Sequence, residues 1–273
     1  MAARMSSDKP TLVLLHGWGL NQGVWQGITH LLGNKLQILT PDLPGFGLNR
    51  PFPKPYQLDA VVEQLAQEIP ADSYVCGWSL GGLLAIGLAS RFPEKVLQLG
   101  LVAASPCFMA QPSSIELSVP FEPQWPGMAQ SIMQQFAQSL SNNLTLTIER
   151  FLAIQAMGSN TARQDIKALK QTIMAYPTPE LAAIEGALQL LRTDLRDEFS
   201  ALTQPIVGLY GRLDALVPAK VVERLQQLQP QAQFSVLEHV SHAPFISAPT
   251  EFVAWLNGWL QLDKLAVNGG EHS

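Results

Sequence analysis

Tyr74-Val75-Cys76-Gly77-Trp78-Ser79-Leu80-Gly81-Gly82-Leu83-Leu84-Ala85-Ile86-Gly87-Leu88-Ala89-Ser90 decides how this chain folds. Tyr74 to Cys76 is a short β-prone apolar run, Gly82 to Ser90 carries a helical pattern, and Gly77-Trp78-Ser79-Leu80-Gly81 joins them. A strand handed to a helix through G-x-S-x-G holds its serine on a sharp turn with the hydroxyl outward. The first amides of the helix then aim at the same point. The glycines are needed because bulkier neighbours would clash in so tight a turn.

Outward from that stretch the pattern repeats. Thr11 to Leu15 stops at H-G-W-G, Gln37 to Leu39 at P-D-L-P-G-F-G, Leu97 to Ala104 at S-P, and Pro205 to Tyr210 at G-R-L-D; Phe234 to Leu237 ends near a histidine. Short continuous apolar runs bounded by Gly and Pro read as buried strands of a parallel sheet. Helical patterns at Leu58 to Ile69, Gly82 to Ser90, Lys220 to Leu228 and Thr250 to Leu260 alternate with them. The expected class is α/β, a mostly parallel central sheet flanked by helices. Residues 111–193 break the rhythm with helical spacing alone: Met128 to Leu140, Leu144 to Met157, Thr161 to Ala175 and Pro179 to Leu191. The expected organisation is a core of 1–110 and 194–261, a helical cap inserted at 111–193, and a solvated tail at 262–273.

Only 14% of residues are charged and the net charge is −5, which excludes a generally basic nucleic-acid binder. The opening M-A-A-R-M-S-S-D-K-P has no apolar core of a signal peptide, and Leu80 to Ala89 is about half a membrane span. Two cysteines, Cys76 and Cys107, make no secreted-type disulfide framework. A soluble cytoplasmic protein, acting as a monomer without membrane or nucleic-acid partners, is expected.

A serine hydroxyl needs a base to take its proton and a carboxylate to orient that base. In the order this fold demands, Ser, then acid, then His, the candidates are Ser79, Asp214 beyond the run Pro205 to Tyr210, and His242 in H-A-P-F. Asp194 and Asp197 follow no strand, and His239 lies nearer its strand than His242 does. The amides of Leu80 and Trp18 are the expected oxyanion donors, with His16 bracing the H-G-W-G loop. Trp18 and Trp78 are candidate apolar walls for an acyl chain. The five histidines lack H-x-x-x-H spacing and G-F-G lacks the rest of a nucleotide loop, so no metal and no cofactor are expected.

With H-G-W-G, D-L-P-G-F-G, G-W-S-L-G-G, G-R-L-D and H-A-P-F in order, the chain resembles the α/β-hydrolase superfamily over nearly its whole length. H-G-W-G-L-N, the elbow tryptophan, S-P-C-F, E-R-F-L-A-I-Q-A-M-G and S-H-A-P-F-I-S resemble, more closely, the pimeloyl-acyl-carrier-protein methyl ester esterases of biotin synthesis. The resemblance implies a serine carboxylesterase that takes the methyl group from a carrier-bound pimeloyl chain, with Ser79, Asp214 and His242 as triad. It implies substrate contacts at Trp18, Ser79, Leu80, His242 and the run Phe151, Leu152, Ala153, Ile154, Gln155. Two departures stand out: Met109 to Trp125 is longer than the family pattern, and Leu146 replaces an expected base. The alternatives on this fold are a general short-chain carboxylesterase, a carbon–carbon bond hydrolase or menaquinone-pathway lyase, and a non-catalytic binder of small ligands.

Arg163, Lys167 and Lys170 are four and three residues apart, so they share a narrow helix face. With Arg150 they outnumber Asp165 between residues 150 and 170. That basic face suits an acidic acyl carrier protein as a transient partner.

Overall fold

The computed structural model describes residues 9–32, 35–111, 125–142, 144–155 and 161–261. The six apolar runs form six strands: β1 (Thr11–Leu15), β2 (Gln37–Leu39), β3 (Ser73–Trp78), β4 (Val96–Val102), β5 (Ile206–Gly211) and β6 (Gln233–Leu237). They pair in parallel in one sheet, in the order β2-β1-β3-β4-β5-β6. The inner strands β1, β3, β4 and β5 are buried along most of their length, whereas β2 and β6, at the edges, are part-exposed. Continuous apolar sequence is what a strand covered on both faces requires.

The described helices are α1 (Gln26–Leu32), α2 (Leu58–Glu68), α3 (Leu80–Arg91), α4 (Gln130–Asn142), α5 (Leu144–Gln155), α6 (Ala162–Met174), α7 (Leu181–Leu190), α8 (Arg196–Ala201), α9 (Val221–Leu228), α10 (Pro244–Ser247) and α11 (Pro249–Leu260). Every residue of α3 from Leu80 to Ala89 is buried, because the helix is packed by β3 and β4 on one side and by α2 and α8 on the other. That is why its sequence is apolar all round instead of amphipathic. Trp259 of α11 lies against Gly100 of β4, where a Cβ would stand 2.7 Å from the indole ring.

Between β4 and β5 the described chain makes five helices, α4 to α8, with isolated bridges Cys107–Asp194, Met109–Met128 and Gln111–Trp125 beside them. Much of the Met109 to Trp125 stretch (residues 112–124) and the whole 262–273 segment lie outside the described residues. Because all strands run one way, the turns after β1, β3, β5 and β6 open on the same sheet edge. The chain leaves β1 outward to β2 and then crosses back to β3, so the direction of winding switches beside β1 and β3. Crevices at such switch points are where parallel sheets bind ligands.

Candidate active site

Ser79 occupies the turn between β3 and α3 with φ 56° and ψ −121°, a backbone conformation that non-glycine residues rarely hold. The neighbouring glycines make it affordable. A Cβ on Gly77 would overlap the Gly81 carbonyl, and one on Gly81 would overlap the Leu15 carbonyl and stand 2.6 Å from that of His16. Ser79 N–H donates to the Val102 carbonyl at 3.0 Å, which ties the turn to β4.

The turns after β5 and β6 bring two more side chains to this serine. His242 Nε2 lies 2.9 Å from Ser79 Oγ, and its Nδ1 lies 2.7 Å from Asp214 Oδ2. The other carboxylate oxygen of Asp214 accepts the N–H groups of Leu216 at 2.8 Å and Val217 at 2.9 Å, which fixes its plane. All three residues are buried. With Nδ1–H given to Asp214, Nε2 is left as an acceptor for the serine hydroxyl. The competing residues are elsewhere: His239 is exposed, Asp194 is clamped by Arg196 at 2.6–3.0 Å, and Asp197 is exposed.

The turn after β1 packs directly on the serine, since a Cβ on Gly17 would stand 3.2 Å from Ser79 Cβ. His16 braces this turn. Its Nε2 accepts the Leu43 N–H at 3.0 Å, so the ring proton sits on Nδ1 and is donated to the Gly17 carbonyl at 2.9 Å. Burial holds the His16 pKa below its ordinary value, against the pull of nearby Asp42. Pinning the Gly17 carbonyl pins the whole Gly17–Trp18 peptide plane, and the Trp18 N–H points opposite to that carbonyl. Leu80 is the first residue of α3, and first-turn amides have no acceptor within their own helix.

A family model for the alpha/beta hydrolase fold matches residues 10–249. The chain belongs to the α/β-hydrolase family. Over 247 residues this hydrolase is 45% identical to a protein of Aeromonas hydrophila subsp. hydrophila named pimeloyl-[acyl-carrier protein] methyl ester esterase, covering 89% of the chain and 92% of the relative. A protein of the same name from Aeromonas salmonicida is 46% identical with the same coverage. A thermophilic esterase from Thermogutta terrifontis shares the fold, with a TM-score of 0.75 at 22% identity over 94% of this chain and 91% of its own. Within the α/β hydrolases, the chain therefore belongs with the two Aeromonas esterases.

The helices between β4 and β5 reach this hydrolase's site through Trp18. Its indole N–H donates to the Ile184 carbonyl of α7 at 3.0 Å, and its ring meets the edge of Phe151 of α5 at 4.8 Å between centroids. Phe151 and Leu152 are buried, whereas Ala153 is exposed; the side chains of Ile154 and Gln155 lie outside the described residues. The indole N–H of Trp78 donates to the His242 carbonyl at 2.7 Å. Arg150, Arg163, Lys167 and Lys170 are all exposed, and Lys170 pairs with Glu149 at 2.7 Å. Asp165 is buried and accepts the Thr161 hydroxyl at 3.0 Å. Leu146 is exposed. Among the described residues no cluster of three His, Cys, Asp or Glu side chains is placed to hold a metal ion, and no helix is long and apolar enough to cross a membrane.

Proposed function

We propose that this hydrolase is a serine carboxylesterase that removes the methyl group from a pimeloyl chain carried on acyl carrier protein, acting in the cytoplasm as a monomer. The observation that carries the reading is the unbroken relay from Asp214 through His242 to Ser79. The substrate assignment rests on the two Aeromonas relatives. Ser79 Oγ attacks the ester carbonyl carbon while His242 Nε2 takes its proton. Asp214 holds the imidazole and stabilises its cation. The tetrahedral oxygen is held by the Trp18 and Leu80 amides, which cost no reorganisation because both are fixed before substrate arrives. His242 returns the proton to the methoxide as methanol leaves, and water, deprotonated by the same nitrogen, releases the free carboxylate from the acyl-enzyme.

Helices α4 to α7 form the cap over this centre, and Trp18 with Phe151 and Leu152 lines the path of the acyl chain. The carrier end of the substrate stays outside, against Arg150, Arg163, Lys167 and Lys170. The test compares wild type with Ser79→Ala on carrier-linked pimeloyl methyl ester and on a free short-chain ester. Wild type is expected to prefer the carrier-linked ester and to be labelled by a fluorophosphonate. Ser79→Ala is expected to lose labelling and at least ~10⁴-fold in turnover of both esters. Undiminished labelling of Ser79→Ala would refute the nucleophile; equal use of both esters by wild type would refute the carrier.

A further inference from the structure

We infer that Trp78, the residue immediately before the nucleophile, is a positioning residue that holds the main chain of the catalytic base through its indole N–H. The inference rests on the reading of Ser79 and His242 as nucleophile and base. His242 lies on the loop between β6 and α10, and both of its ring nitrogens are committed, one to Asp214 and one to Ser79. Its neighbours are held by backbone bonds: the Val240 carbonyl accepts the Leu213 N–H at 3.0 Å, and the Ala243 carbonyl accepts the Ile246 N–H at 3.0 Å. The His242 carbonyl is taken by Trp78 Nε1 at 2.7 Å, with both residues fully buried.

One side chain thus connects the two halves of the relay. Trp78 is joined by a peptide bond to Ser79 and by a hydrogen bond to His242, so the elbow and the base loop cannot drift apart independently. Burial makes the bond costly to lose, because a carbonyl left without a partner in the interior is not solvated instead. The indole is itself wedged, with its ring 4.8 Å from Phe245 and 6.4 Å from Trp25 between centroids.

The same cluster contains its own control. Trp25 is equally buried and packs on Trp78 and on Phe245, at 4.4 Å between centroids, yet among the described residues its Nε1 has no hydrogen-bond partner. Trp78→Phe and Trp25→Phe therefore make the same truncation in one aromatic cluster, and only the first removes a hydrogen bond to the base loop.

The experiment measures turnover of a soluble short-chain ester, the rate of fluorophosphonate labelling at Ser79, and the far-downfield proton resonance of His242 Nδ1–H bonded to Asp214. Misplacing a reacting group by about 1 Å costs on the order of 10²-fold. Trp78→Phe is expected to lose ~10- to 100-fold in kcat and in labelling rate, with KM nearly unchanged and the downfield resonance broadened. Trp25→Phe is expected to keep kcat within ~3-fold and the resonance in place. Equal losses in the two variants, or an undisturbed kcat and resonance in Trp78→Phe, would overturn the inference. If Trp78→Phe does not fold, the indole proton of Trp78 in wild type decides instead. It is expected to shift on phosphonylation of Ser79, and no shift counts against the brace. Absence of wild-type labelling refutes the serine nucleophile separately, while the downfield resonance still judges the brace without turnover.

Discussion

The sheet edge beneath the proposed substrate path and the helices above it are held in different ways. Beneath, the groups that meet are backbone: the Gly77 and Gly81 turn lies against the ends of β1 and β3 with no room for a Cβ, and Ser79, Asp214 and His242 are each fixed by hydrogen bonds of 2.7–3.0 Å. Above, contact runs through a few side chains. Trp18 reaches Ile184, Phe151 meets Trp18 and Phe136, and Arg50 donates to the Thr178 carbonyl. Backbone packed on backbone cannot relax, whereas side chains on a helix can adjust. Under the proposed function, the floor sets whether chemistry occurs and the roof grades which ester reaches it.

The sharpest way to break this division is a methyl group in the floor. Gly81→Ala places a Cβ into the Leu15 and His16 carbonyls, which belong to the end of β1 and to the turn that carries the Trp18 amide. Neither neighbour is the tip of a flexible side chain, so the expected cost is ~3 kcal/mol or more, measured by urea unfolding. Turnover of carrier-linked and free esters is expected to fall alike. Gly27→Ala in α1 is the matching control, since a Cβ there meets nothing within 4 Å. Its helical site makes that change neutral or stabilising by up to ~1 kcal/mol. Equal stability of the two variants would remove the distinction between floor and surface.

The floor is also the region that is most legible in the chain. β1 and β2 coincide with their apolar runs, and the G-x-S-x-G stretch lies between strand and helix as its spacing requires. Helix α3 begins at Leu80, earlier than its apolar pattern indicates, because Gly81 and Gly82 dilute that pattern. The short helices α1, α8 and α10 carry no periodicity long enough to read. The indole bonds of Trp18 and Trp78 are illegible for another reason: each donates to a backbone carbonyl more than 160 residues away, and any residue type supplies a carbonyl. The pairing of Lys170 with Glu149 is lost to a charge count that begins at Arg150, one residue too late.

Trp18 spans the two regions, and its side chain can be altered without touching its amide. Trp18→Phe keeps the backbone N–H while removing the indole bond to α7 and part of the contact with Phe151. A buried hydrogen bond contributes about 1 kcal/mol and the weakened edge contact with Phe151 about 0.5 kcal/mol more, so kcat/KM for a pimeloyl ester is expected to fall ~10-fold. Most of the loss should appear in KM, because the roof is loosened and the relay is intact. A fall in kcat with KM unchanged would show that the indole acts on chemistry and would erase the boundary between roof and floor.

The smallest expected effect lies farthest from the serine. Arg163→Glu with Lys167→Glu reverses two exposed charges on α6, and neither touches the relay. Exposed charges contribute a few tenths of a kcal/mol to about 1 kcal/mol each, so kcat/KM for the carrier-linked ester is expected to fall ~5-fold at low ionic strength. The free ester should lose much less, and the gap between the two should close as salt screens the interface. Lys170 belongs to a different argument, since its charge is already answered by Glu149 within the roof. Lys170→Glu sets two carboxylates side by side between α5 and α6, and its cost is expected in cap stability as well as in docking. If Arg163→Glu with Lys167→Glu weakens both esters equally, those charges support the cap itself and the carrier docks elsewhere.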